Sequence, residues 1–146
     1  MPMTLLQAQR LVHTATLRAE ALGVAVCVAV LDAGGHLKAF SRMDHAWLGS
    51  IDVAIKKAKT SVLFETDSEN IWEVSRPDAQ AHGLDMTNGI LVTFAGGLPL
   101  KSESGEMLGA IGVSGGLVNQ DREVALAGQH ALSDPIASPS RDIVRG

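Results

Sequence analysis

The sequence predicts an α/β protein of the α+β kind, a central antiparallel sheet of about five strands with flanking helices. Three observations carry this. Apolar runs rich in valine are joined by glycine turns of hairpin length, segments with helical spacing flank them, and the elements run α β β α, connector, β β β α, without the regular βαβ alternation of a parallel sheet. With 146 residues, 46% hydrophobic and 19% charged, the chain has enough apolar material for one compact domain, assigned to residues 1–132, followed by a tail at 133–146.

The first helix is expected from Thr4 to about Leu22, because Leu11, Ala15, Ala19 and Leu22 recur at helical spacing, Thr4 can cap it and Gly23 can stop it. Val24–Leu31 and His36–Arg42 then read as two strands joined through Asp32-Ala-Gly-Gly35, a hairpin. Between Trp47 and Phe64, Ile51, Ala54, Ile55, Ala58 and Val62 mark the apolar face of a second helix, with Lys56, Lys57 and Lys59 placed elsewhere around it. Glu65–Asp85, with Pro77 and Gly83, reads as a connector holding one or two short helical turns, able to act as a lid. Ile90–Ala95, Leu98–Lys101 and Met107–Val113 read as three short strands, and Gln120–Leu132 closes as a helix. The tail, with Pro135 and Pro139, lacks periodicity; it is expected to be disordered or laid on a neighbouring subunit.

A formal charge of −4 and a pI near 5.7 argue against nucleic acid, and no basic run suggests an anionic membrane surface. The amino terminus lacks the basic start and apolar run of a secretory signal, and no apolar stretch reaches the length of a membrane span, so a cytoplasmic protein is expected. The single cysteine, Cys27, falls in an apolar run and reads as a buried small hydrophobe. No H-E-x-x-H, CxxC or His-x-His occurs, so no metal site is expected, and the absence of CxxCH excludes covalent haem.

Leu108–Gly116, an apolar strand breaking into glycines before a helix, is a place to hold a small ligand. Glycine lets the backbone approach a bound group, and the amides entering a helix are donors with a positive dipole behind them, so an anion is the natural guest at Gly112, Ser114, Gly115 and Gly116. Tight packing is the competing reading of the same glycines. Neither G-x-x-x-x-G-K-[ST] nor G-x-G-x-x-G is present, which gives no licence for ATP or a dinucleotide.

Four segments, taken in order, resemble the family of the glycolate-operon protein GlcG, the haem-binding protein HbpS and the carboxy-terminal domain of PduO. They are Val30-Leu-Asp-Ala-Gly-Gly-His-Leu37, Arg42-Met-Asp44, Ser50-Ile-Asp-Val-Ala-Ile-Lys-Lys-Ala58, and Gly96-Gly-Leu-Pro99 followed by Gly109–Gly115 and Gln120-Asp121. The resemblance covers about Met3–Leu132 and implies an antiparallel α/β fold, a homo-oligomer, often an octamer, and haem as the ligand of some members. It implies no shared reaction, and without an ATP loop adenosyl transfer is not expected. His45 stands where the family usually has glycine after Arg-Met-Asp, Lys59 where it is commonly aromatic, and Gly35-His36 where it usually has Gly-Asn.

Arg42 and Asp44 lie two residues apart at a strand end, suited either to grip a carboxylate and manage a proton or to form a structural ion pair. Lys57 matches the family lysine and supplies a second cation to an acidic ligand unless it is simply solvated. Among five histidines, His45 beside Arg42-Met43-Asp44 is the leading candidate for chemistry; His13 on the first helix faces solvent or a partner, and His82 lies in the connector. Ser114, His45 and Asp121 do not form a recognisable triad motif, so Ser114 is assigned to capping or ligand bonding. With three Phe, two Trp and no Tyr, a flat cofactor would rest on aliphatic side chains and on methionines such as Met43, Met86 and Met107. Three functions follow: a small-ligand binder of the GlcG/HbpS type, with haem as the implied cofactor, serving as carrier, sensor or accessory factor; a catabolic isomerase, lyase or hydratase acting on an anionic metabolite through Asp44, His45 or both, with Arg42 and the Gly112–Gly116 amides holding the anion; or a purely structural partner of a larger enzyme complex.

Overall fold

The computed structural model describes residues 2–133. Helix α1 spans Leu5–Leu22 and is bounded by local chemistry. Thr4 Oγ1 accepts from Gln7 N at 3.1 Å while Gln7 Oε1 accepts from Thr4 N at 2.9 Å, a reciprocal cap, and Gly23 at φ 71° takes the left-handed conformation that ends the helix. Strands β1 (Cys27–Asp32) and β2 (Leu37–Arg42) form the expected hairpin. Asp32 Oδ1 accepts from Gly34 N and His36 N, both at 3.0 Å, which closes its turn. The His36 and Gly34 amides hold the Asp32 carboxyl below the usual carboxylate range against a smaller opposing effect of burial, with the charges of His36 and Lys38 adding to the lowering.

Helix α2 (Gly49–Phe64), a short α3 (Asn70–Ser75) and a single 3-10 turn at Leu84–Met86 lead to β3 (Gly97–Lys101), β4 (Met107–Ser114) and α4 (Val118–His130). The sheet is antiparallel and four-stranded in the order β2-β1-β4-β3. Ile90–Ala95, read from its apolar content as a strand, joins no ladder. Asn88, Gly89 and Ile90 have φ of 55°, 70° and 79°, which turns the chain away from an extended path. The backbone beyond is tied down individually: Leu91 N to Asp85 O, Val92 N to Thr60 Oγ1, and Ser68 Oγ to Phe94 O. The expected tail at 133–146 lies almost wholly outside the described residues.

Side chains alternate across the sheet and bury two unlike faces. Val28, Val30, Leu98, Leu100, Ile111 and Val113 pack under α1 and α4 as the larger core. The opposite face is lined by small residues, because α2 lies close to the backbone there. A Cβ on Gly112 would sit 2.0 Å from Ala54 O, and one on Gly97, its cross-strand partner, 2.3 Å from Lys57 O. The outer flank of β3 is sealed: Ser68 takes both backbone groups of Gly97, while Pro99 has no N–H and its carbonyl accepts from Gln129 Nε2 at 2.9 Å. At the other edge, β2 carries a bulge. Val30 pairs with Ala39 but Leu31 pairs with Leu37, so Lys38 is an extra residue without a partner on β1.

Candidate functional site

The sequence candidates gather at one end of the sheet and divide into two groups. Cys27 pairs with Arg42 on one side and Ser114 on the other, so those two residues stand two strand spacings apart, roughly 10 Å. Around Ser114 the chemistry is internal. Lys57 is 1% exposed; its Nζ donates to Val113 O at 2.8 Å and to Asp121 Oδ2 at 3.1 Å, and it lies 5.0 Å from the centroid of the Phe94 ring. Burial pushes the Lys57 ammonium below the usual lysine range, opposed by the charge and hydrogen bond of Asp121 and by the more distant Glu69. This corrects the expectation that Lys57 is either solvated or offered to an outside ligand.

The glycine turn receives the same correction. Gly116 N donates to Asp121 Oδ1 at 2.8 Å and Leu117 N to Gln120 Oε1 at 2.9 Å, so the Gly116 amide holds an anion, the chain's own Asp121, and the Leu117 amide is taken by a neutral side chain. Gly112 serves the contact with α2, and Gly115, at φ 142°, would place a Cβ 2.4 Å from Ala25 O. Ser114 is buried and faces the α2 side of the sheet with Cys27 and Arg42.

The second group is open. Arg42, Met43, Asp44 and His45 line a bay of about 410 Å³. β2 ends at Arg42, the next residues turn, and neither Arg42 nor Asp44 nor His45 forms a side-chain hydrogen bond or ion pair among the described residues, so the structural ion pair considered for Arg42 and Asp44 is not made. His45 adopts φ 70°, the left-handed region that favours glycine. Glycine, the residue the family resemblance implies at this position, takes that conformation without strain.

The bay continues along the α1–β2 seam. A second cleft shares Arg42, Met43 and Asp44 with it and adds Thr16 and Ser41; a third, of about 380 Å³, shares Thr16 and Ser41 and runs on past His13. On α1 this third cleft is lined by Leu5, Gln9, Val12, His13 and Thr16, whose spacing is one helix face. Ala39 forms the apolar part of the β2 wall and Lys38 its charged end, while the Phe40 side chain packs on the α2 side with Cys27, Ala29 and Ala54. His13 is exposed and makes no hydrogen bond or ion pair among the described residues. Reasoning from sequence placed His45 above His13 because His45 has charged neighbours in the chain. The apolar wall opposite His13 comes from β2, some 25 residues away, and only folding supplies it.

Residues 3–130 match the family model described as haem degrading protein HbpS-like. The chain belongs to the HbpS-like family. Within it, a 15.0 kDa protein of the dhaT-dhaS intergenic region of Citrobacter freundii is 37% identical over 123 residues, covering 84% of this chain and 86% of that protein. The Citrobacter freundii corrinoid adenosyltransferase PduO is 37% identical over 126 residues, but this HbpS-like chain spans only 37% of its length. Among solved structures, a complex of PduOC with haem superposes with a TM-score of 0.85 at 35% identity, covering 90% of this chain and 95% of that one. No described helix is long and apolar enough to cross a membrane.

The α1–β2 cleft suits a porphyrin in donor and in wall. It offers one uncommitted imidazole for iron, aliphatic carbon from Leu5, Val12 and Ala39 for the macrocycle, and a cation at one end.

Proposed function

We propose that this protein binds haem, with His13 as the axial ligand and the α1–β2 cleft as the seat of the macrocycle. The observation that carries the reading is that His13 stands unengaged beside the carbon of Leu5, Val12 and Ala39. Membership of the HbpS-like family and the likeness to the PduOC–haem complex support it. Haem supplies an iron with axial positions to fill. The chain would supply the His13 imidazole to hold the iron, and apolar side chains to exclude water from the porphyrin face.

Self-association belongs to the same reading. Leu6, Leu17 and Leu37 are each about half exposed on α1 and at the start of β2, and Trp47 and Leu48 just before α2 are 79% and 71% exposed, apolar surface suited to contact with a second copy. Light scattering is expected to return a homo-oligomer; a monomer at micromolar concentration overturns this.

Hemin titration of wild type and of the His13→Ala, His45→Ala and His82→Ala variants tests the site. A saturable, stoichiometric Soret shift is expected, lost in His13→Ala alone. Loss in His45→Ala alone moves the ligand to the bay, and a nonsaturating signal unchanged by all three variants overturns haem binding.

A second reading rests on His45. Its imidazole is held at a left-handed φ beside free Arg42 and Asp44, an arrangement suited to acid–base work on a small carboxylate gripped by Arg42. Turnover of such a metabolite that disappears in His45→Ala while the fold and oligomer persist is the result this reading requires.

A further inference from the structure

We propose that Lys38 is the carboxylate anchor of the α1–β2 cleft and makes it selective for porphyrins with free propionates, an inference that rests on the haem reading above. A haem presents two demands at once: an apolar macrocycle to bury and anionic side chains that stay in water or meet a cation. Leu5, Val12 and Ala39 answer the first demand, and among the described residues Lys38 is the only Lys or Arg lining this cleft.

The backbone singles Lys38 out. In an unbroken ladder it would pair with Leu31, but the bulge gives that place to Leu37 and leaves Lys38 as the unpaired residue on the free edge of the sheet. Bulges at sheet edges re-aim side chains and recur beside binding sites. Lys38 is exposed and forms no ion pair with a described carboxylate. Its charge is felt by Asp32, but Asp32 Oδ1 is engaged by the turn amides of Gly34 and His36. The ammonium is therefore available, on a flexible stem that can cover apolar ligand surface while its head stays wet.

The two contacts come from different elements, His13 from α1 and Lys38 from β2, and they read different parts of the ligand. His13 reads the metal and Lys38 reads the acid. That separates them experimentally.

The test is titration of wild type, Lys38→Gln, Lys38→Glu and Lys38→Arg with hemin and with hemin dimethyl ester, which keeps iron and macrocycle but has no free acid. Lys38→Gln is expected to weaken hemin binding roughly tenfold, the scale of one charge-assisted hydrogen bond. Lys38→Glu should weaken it further and Lys38→Arg restore it, with the Soret position of the saturated complex unchanged throughout because His13 is untouched. Affinity for the diester should be alike in all four proteins. Equal hemin affinity in wild type and Lys38→Glu, or parallel losses for hemin and its diester, overturns the anchor while leaving haem binding in place. Failure of wild type to bind either compound saturably defeats the haem reading itself, and the anchor with it.

Discussion

The Lys57 ammonium and the Asp121 carboxylate meet at 3.1 Å with 1% and 3% of their side chains exposed. The contact joins the middle of α2 to the first turns of α4, and through Val113 O it also holds the end of β4. The two charges are useful only together, since each alone would be stranded out of water.

Asp121→Asn keeps an acceptor for Gly116 N but removes the charge opposite Lys57. It is expected to cost about 3 kcal/mol or more, the scale for breaking a buried pair from one side. The double variant Lys57→Met/Asp121→Asn should recover part of that loss. Urea unfolding of Asp121→Asn, Lys57→Met and the double variant measures the coupling; additive losses would mean the residues do not act as a pair.

Gly112→Ala is expected to destabilise by about 3 kcal/mol, because its Cβ would lie 2.0 Å from the Ala54 carbonyl oxygen and backbone cannot step aside as a side chain can. Gly49→Ala is the control. Nothing lies within 4 Å of a Cβ there, and its stability should stay within about 0.5 kcal/mol of wild type. Thermal melts of both variants decide the matter, and equal behaviour would remove the close approach of α2 as the reason for Gly112.

His45→Gly should raise stability by about 0.5–1 kcal/mol, since the φ of 70° is costly for histidine and open to glycine, less the entropy glycine adds to the unfolded chain. If the melting temperature falls instead, the imidazole has a structural contact that outweighs the strain.

Asp32 sets a pH dependence. Its folded carboxyl titrates below its ordinary value of 3.8, so the unfolded chain binds the proton more readily and the stabilisation, complete above that value, is lost as pH falls through the folded pKa. Asp32→Asn retains an acceptor for the Gly34 and His36 amides but cannot titrate. Acid unfolding curves between about pH 2 and 5 should be less steep in the variant; identical slopes would show that the turn bonds do not depend on ionisation.

Elements governed by near neighbours were legible in the sequence. Thr4 with Gln7, Gly23, and the Asp32–His36 turn act within a few residues, and their chemistry can be read directly from the chain. Lys57 was not legible, because helical spacing put it beside two other lysines and its partner lies 64 residues away. Ile90–Ala95 has the composition of a strand, but a strand exists only through a neighbour, and the left-handed backbone at Asn88–Ile90 denies it one. The Gly112–Gly116 turn was identified as anion-holding on sound grounds; sequence could not show that Asp121, only five residues beyond Gly116, is the anion. The surroundings of His13 are not legible in the sequence, because its cleft has two sides from separate parts of the chain.

The sealed flank of β3 has a consequence for assembly. A sheet with two open margins can add copies of itself without limit, each new edge offering the next, which is how fibres grow. Here Ser68, Pro99 and Gln129 close one margin. Among the described residues, strand-to-strand joining is left only the β2 side, where two copies meeting edge to edge would consume both open margins and stop.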